Sequence, residues 1–244
     1  MTAQSLWGKR AEGATNSERL LQNLRDYADA ALSLIWQRQA IFAAVAVLTA
    51  FFFDPLKAGI FYGVMILTEM HDLWIARQVA RLSVRDKWGL RRTLYHVLAN
   101  TVLSSAGVSA YVVSVAEMQG AGGHFTPLFF LFAAALFAAM NNHQIVGALV
   151  IRLTIYGLSF LYITVKDLWV QCPELTSELW LQFFTVVFVM YFLIDCSLVF
   201  LRLYRRNLQQ LEELKAEHER TKAALIVKSQ FVSVVSHELR TPLT

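Results

Sequence analysis

Charge is scarce in this chain. Asp, Glu, Lys and Arg make up 16% of its 244 residues, against about 25% in an ordinary soluble domain. Hydrophobic residues make up 56% and come in long blocks, which excludes a soluble globular domain and points to a membrane protein. Cysteine is nearly absent too. Cys172 falls in a loop and Cys196 inside an apolar block, near opposite faces of the expected bilayer, so no disulfide is expected between them. No short apolar core follows an early basic region, so no secretory signal peptide is expected. The eleven glycines are scattered and form no phosphate-cradling loop; Gly120, Gly122 and Gly123 fall in an outer loop. Haem-binding and zinc-binding signatures are missing, although His71, His96 and His143 all fall near one end of apolar segments. Interfacial polar residues explain these histidines better than a metal or haem site does.

What is there reads as an all-α protein. Residues 1–14 are small and polar and are expected to be disordered. Thr15-Asn-Ser-Glu18 reads as a capping box that opens a helix. Leu20, Leu24, Tyr27, Ala31 and Leu34 then recur at helical spacing. That pattern fits an amphipathic helix on the membrane surface, or a plain polar tail with a short helix. Six apolar segments follow, over 36–53, 58–76, 93–115, 125–141, 145–165 and 179–201. A helix needs about 20 residues to cross the hydrocarbon core. The third, fifth and sixth reach that. The first is weak unless Trp36 and a snorkelling Arg38 extend it, and Glu69, His71 and Asp72 interrupt the second. Asp54-Pro55 marks the turn between these two, and a re-entrant hairpin there would leave later sidedness unchanged.

Basic residues fix the expected orientation. The stretch 77–92 holds Arg77, Arg81, Arg85, Lys87, Arg91 and Arg92, and the tail begins with Arg202, Arg205 and Arg206. The loop 116–125 holds no Lys or Arg, and 166–178 has only Lys166 against Asp167, Glu174 and Glu178. Six spans with both termini cytoplasmic put the basic stretches on one side. Trp36, Trp74, Trp169 and Trp180 then mark interfaces. Glu69, Asn100, Arg152 and Asp195 come out six or seven residues, about 10 Å, from the same face. They are expected to form an inward-facing polar layer in which Arg152 meets Asp195, Glu69 or both. The alternative is an Arg152 that snorkels alone beside a protonated Asp195.

Beyond Arg202 the chain becomes a charged helix. Leu201, Tyr204, Leu208 and Leu211 keep 3-4-3 spacing. Leu214, His218, Thr221, Leu225, Lys228, Val232, Val235 and Leu239 continue it after one shortened step, a stammer-like irregularity. This seam predicts a marginal two-stranded coiled coil, with a solvated monomeric helix as the alternative. With Val232 at a and Val235 at d, His237 falls at f, on the outside.

The last stretch, Phe231-Val-Ser-Val-Val-Ser-His-Glu-Leu-Arg-Thr-Pro-Leu-Thr244, resembles the phosphoacceptor box of sensor histidine kinases. Ser236 to Leu243 match the family's Ser-His-Glu-Leu-Arg-Thr-Pro-Leu without a gap, and the resemblance covers roughly 221–244. It implies that His237 is the phosphoacceptor, that Glu238 is its general base, and that Thr241 places water for dephosphorylation. Pro242, lacking an N–H, is expected to bend the helix just past the site. The resemblance also implies a homodimer, a cognate response regulator as partner, and a location in the bacterial inner membrane. ATP and Mg would belong to an ATP-binding domain that the family carries after this box, so no cofactor is expected in these residues. No nucleic-acid partner is expected.

The organisation so read is a cytoplasmic tail over 1–35, a six-helix membrane sensor over 36–201, a signalling helix over 202–224, and from 225 to 244 the start of a dimerisation and phosphoacceptor hairpin. Only residues 202–236 separate the last span from His237, too few for an interposed sensor domain. Since the sequence stops inside the box, it is expected to be part of a longer kinase. A natural, non-catalytic fragment that dimerises with a full kinase and accepts phosphate or inhibits it is the second reading. A transporter or channel with a cytoplasmic helix is the third, and the box argues against it.

Overall fold

The structure, a computed structural model, describes the backbone of residues 3–120 and 122–240 and the side chains of residues 16–120 and 122–228. Seven helices run in order: α1 (Ala3–Ser33), α2 (Ile35–Phe52), α3 (Pro55–Arg81), α4 (Lys87–Ala116), α5 (Phe125–Asn141), α6 (Val146–Gln171) and α7 (Glu178–Arg240). No strand occurs among the described residues, in line with the all-α expectation. The chain divides into two compact units, Met1–Phe200 and Leu201–Thr244.

The helix boundaries follow local chemistry. Asp54 caps α3: its carboxylate accepts from the backbone N–H of Leu56 at 2.8 Å and of Lys57 at 3.4 Å. Pro55 occupies the first turn, where its missing N–H costs nothing. Asp86 caps α4 in the same way, accepting from Gly89 N–H at 2.8 Å. The α6 helix stops at Cys172, which adopts left-handed backbone (φ 41°) where a glycine is usual.

Two apolar clusters hold the first unit. One gathers Val45 of α2, Phe61 and Met65 of α3, Tyr111 and Val115 of α4, Leu131 and Ala138 of α5, Tyr156 and Phe160 of α6, and Val186 and Leu193 of α7. The Phe61 and Tyr111 rings stack at 3.9 Å, and the Tyr111 and Thr49 hydroxyls are hydrogen-bonded. Gly107 lets α4 approach α3, since a Cβ there would sit 2.8 Å from the Met65 methyl. The second cluster joins Leu21, Leu24, Tyr27 and Ala28 of α1 to Ile75, Ala76 and Val79 of α3, and to Leu90 and Val97 of α4.

The second cluster corrects the reading of the N-terminal segment. The capping box Thr15–Glu18 lies inside α1, which begins at Ala3, so residues 3–14 are helical. The apolar face of α1 lies on α3 and α4 and not on a membrane surface. Those two helices extend past their apolar spans, to Arg81 and back to Lys87, and so offer Ile75, Val79 and Leu90 as a surface to cover. Fully burying Leu24 contributes about 2 kcal/mol.

Six apolar segments were expected to span. Among the described residues, four helices are long and apolar enough to cross a membrane: α2, α4, α6 and the first part of α7. The α5 helix is apolar but has 17 residues, and α3 is 27 residues long with Glu69, His71 and Asp72 in its middle. The outside of this unit is conspicuously apolar. Phe51, Phe125, Trp169, Phe188 and Tyr191 are all more than two-thirds exposed, a surface that water alone does not suit.

Candidate functional site

Two places carry the candidate site residues, the end of α7 and a buried polar network in the first unit. The α7 helix is continuous in backbone through His237 and Glu238 to Arg240. The side chains of His237 and Glu238, and Thr241 and Pro242 altogether, lie outside the described residues. Upstream, residues 209–228 are exposed throughout, including Leu211, Leu214 and Leu225 of the proposed seam. Local bonds along this stretch stay within one turn: Lys222 faces Glu219 at 3.7 Å, and the Thr221 hydroxyl donates to the Glu217 carbonyl at 3.0 Å.

The polar network has different members from those expected. Arg38 of α2 donates to Glu69 of α3 at 2.7 Å, approaches Asp72 at 3.9 Å, and donates to the Ala31 carbonyl at 3.2 Å. Asn100 of α4 donates to Asp72 at 2.7 Å and to the Thr68 carbonyl at 3.0 Å. Its carbonyl oxygen lies 3.0 Å from His71 Nδ1. His71 and His96 are 5.7 Å apart, ring to ring, with Trp74 against His96 at 4.9 Å. The layer therefore joins Glu69 and Asn100 through Asp72, and its cation is Arg38.

Arg152 is within electrostatic reach of Glu69 but forms no ion pair with it, and Asp195 stands apart. Arg152 of α6 donates to the Ser104 hydroxyl at 3.0 Å and to the Asn142 side-chain oxygen at 3.3 Å, so it meets neither Glu69 nor Asp195. Asp195 is on the exposed side of α7. The helices explain the mismatch. Since α3 runs to Arg81, Glu69 lies twelve residues from that helix's end, not seven from the end of a span. Arg38, read as snorkelling outward, turns inward because two carboxylates one helical turn apart face it. Those carboxylates, at positions 69 and 72, were the signal in the sequence that a second cation was needed.

Near the opposite ends of α4 and α6 is a second polar cluster. His124 lies 3.0 Å from Asp167, whose carboxylate also accepts from Gly122 N–H at 3.2 Å. Lys166 donates to Glu117 at 2.8 Å and Tyr162 donates to it at 3.3 Å. The Lys166 hydrogen bond and charge, helped by Tyr162, hold the Glu117 carboxyl below the usual range. In the α5–α6 loop, burial pushes the His143 imidazole below its ordinary value, opposed by the carbonyls of Met140 and Ala139 and by Asp26.

Both cysteines are free thiols, Cys172 exposed and Cys196 half-buried. Among the described residues no group of three or more His, Cys, Asp or Glu side chains is placed to hold a metal ion. No protein-family model matches the chain, and searches of curated proteins and of solved structures give no match either.

Proposed function

We propose that the chain is the sensory and phosphoacceptor portion of a transmembrane two-component histidine kinase. The observation that carries this reading is the ungapped run Ser236-His-Glu-Leu-Arg-Thr-Pro-Leu243 at the end of a long helix. Imidazole suits the role because it is a nitrogen nucleophile that is mostly neutral near pH 7. One ring nitrogen of His237 attacks the γ-phosphorus of ATP, an N–P bond forms, and the bond to the ADP oxygen breaks. Glu238 takes the imidazole proton. The phosphoryl group then passes to an aspartate of a response regulator, and Thr241 positions water when the site runs as a phosphatase.

On this reading α2 to α7 make six spans in a bacterial inner membrane, with both termini cytoplasmic. The α5 helix crosses despite its length because both its ends sit at polar loops. The α3 helix crosses because its charges are paired within the unit. The exposed Leu211, Leu214 and Leu225 are the seam along which two copies join through residues 202–239.

The test is phosphorylation of the membrane-embedded chain by ATP, with a histidine-kinase ATP-binding domain supplied in cis or in trans. Acid-labile, base-stable label is expected on the wild type and none on His237→Gln. Label that persists in His237→Gln would sink the proposal.

A further inference from the structure

His71 of α3 and His96 of α4 face each other beside the polar network, with ring centres 5.7 Å apart. We propose that these two imidazoles bind a divalent transition-metal ion of the zinc and copper class, with water completing its coordination. They stand on different helices, so no ligand spacing in the sequence announces them. With two protein ligands they fall short of a closed structural site.

The tautomer of His71 is the first argument. The Asn100 amide nitrogen donates to Asp72 at 2.7 Å and to the Thr68 carbonyl at 3.0 Å. Both of its N–H groups are therefore used, and its oxygen is the atom turned to His71 Nδ1, at 3.0 Å. An amide oxygen only accepts, so Nδ1 carries the proton and Nε2 of a neutral His71 holds a lone pair. Proteins present a histidine to a metal in this way, one nitrogen held on an oxygen acceptor and the other left for the ion.

Open nitrogens are the second. His96 packs on the rings of His71 and Trp74, and its side chain makes no hydrogen bond among the described residues. Among the described residues the histidine nitrogens sealed away without a partner are Nδ1 of His124 and Nδ1 of His143. His71 Nε2 and the two nitrogens of His96 thus keep accessible surface.

Distance is the third. A zinc ion sits about 2.0–2.1 Å from an imidazole nitrogen, hence about 3.2 Å from the ring centre. Two rings on one such ion have centres about 4.5 to 6.4 Å apart as the N–metal–N angle opens from a right angle to a straight line. The observed separation of 5.7 Å falls inside that range. The two residues are also level: His71 lies ten residues before Arg81 and His96 nine after Lys87, about 15 Å and 14 Å from the α3–α4 turn. Neutral nitrogen ligands select the class, since Mg²⁺ and Ca²⁺ take oxygen. A bound ion pins α3 to α4 beside Asn100.

The test uses the purified chain in detergent. Equilibrium dialysis against Zn²⁺ should show one more ion per chain on the wild type than on His71→Gln or His96→Gln. Zn²⁺, but not Mg²⁺, should raise the melting midpoint of the wild type by several degrees and leave both variants unmoved. Cu²⁺ reports the place, because it quenches a nearby indole. The Trp74 ring lies 4.9 Å from His96, so the quenched part of the tryptophan emission should fall by more than half in Trp74→Phe. The proposal is overturned if either glutamine variant binds Zn²⁺ like wild type, if Mg²⁺ gives the same shift, or if Trp74→Phe is quenched like wild type. Should a glutamine variant not fold, the Mg²⁺ comparison and Trp74→Phe decide the matter. None of these readouts depends on phosphotransfer to His237.

Discussion

Arg38 faces two carboxylates, and Glu69 retains 9% side-chain exposure. Removing one partner of a buried pair costs about 3–5 kcal/mol, mostly because the other charge is left without compensation. Arg38→Met should therefore lower the melting temperature in detergent by several degrees, and adding Glu69→Gln should recover much of the loss. A double variant no better than the single would mean that the pair contributes little. His143 gives a pH dependence of known sign. Its folded pKa is held below 6.5, so the unfolded chain takes up the proton first as pH falls past that value. This group's contribution is fully present well above its free value of 6.5 and is lost as pH falls through that value toward the lower folded pKa. His143→Asn should flatten that part of the melting profile; an unchanged profile would remove the assignment. At this scale the sequence was only partly legible. Glu69 and Asn100 announced a polar layer because charge and amide are expensive in an apolar run. Arg38 did not, because hydropathy edges do not mark helix ends here: α3 and α4 overrun them.

At the scale of elements, the periodicity of α1 was readable and its partner was not. Leu24, Tyr27 and Ala31 mark a face, but a face alone does not say whether lipid or protein covers it; Ile75, Val79 and Leu90 do. The capping box misled because Thr15 has no terminus to cap once the helix starts at Ala3. The α7 helix poses the reverse problem. Its seam over 202–228 is exposed along most of its length, and a second copy is the proposed cover. In a Cys172→Ser, Cys196→Ser background, single cysteines placed along 208–228 should cross-link with maxima three and four residues apart. A flat profile would leave α7 as a solvated single helix.

For the whole molecule, composition alone made an all-α fold with long apolar helices legible, and six segments were visible as apolar blocks, of which four form helices long and apolar enough to cross a membrane among the described residues. What the blocks could not convey is that α3 is apolar only in company. Arg38 on α2 and Glu69 on α3 neutralise each other across the Asp54-Pro55 turn. Of the two segments, α2 is long and apolar enough to cross a membrane and α3 carries Glu69, His71 and Asp72 in its middle. On the proposed six-span topology they share one arginine and two carboxylates, so they integrate as a pair or stay out as a pair. On that proposed topology an even number of crossings then precedes α4 either way, and the later helices keep their orientation. The exposed thiol at Cys172 reports on this. A membrane-impermeant maleimide added outside spheroplasts should label Cys172 in the wild type and label it less in Arg38→Met, where one segment can insert without the other. No label in the wild type would contradict the proposed six-span topology, and equal label in Arg38→Met would mean that the pair does not set sidedness. On the proposed topology, then, the ion pair guards the sidedness of the chain against errors made while it is being threaded into the membrane.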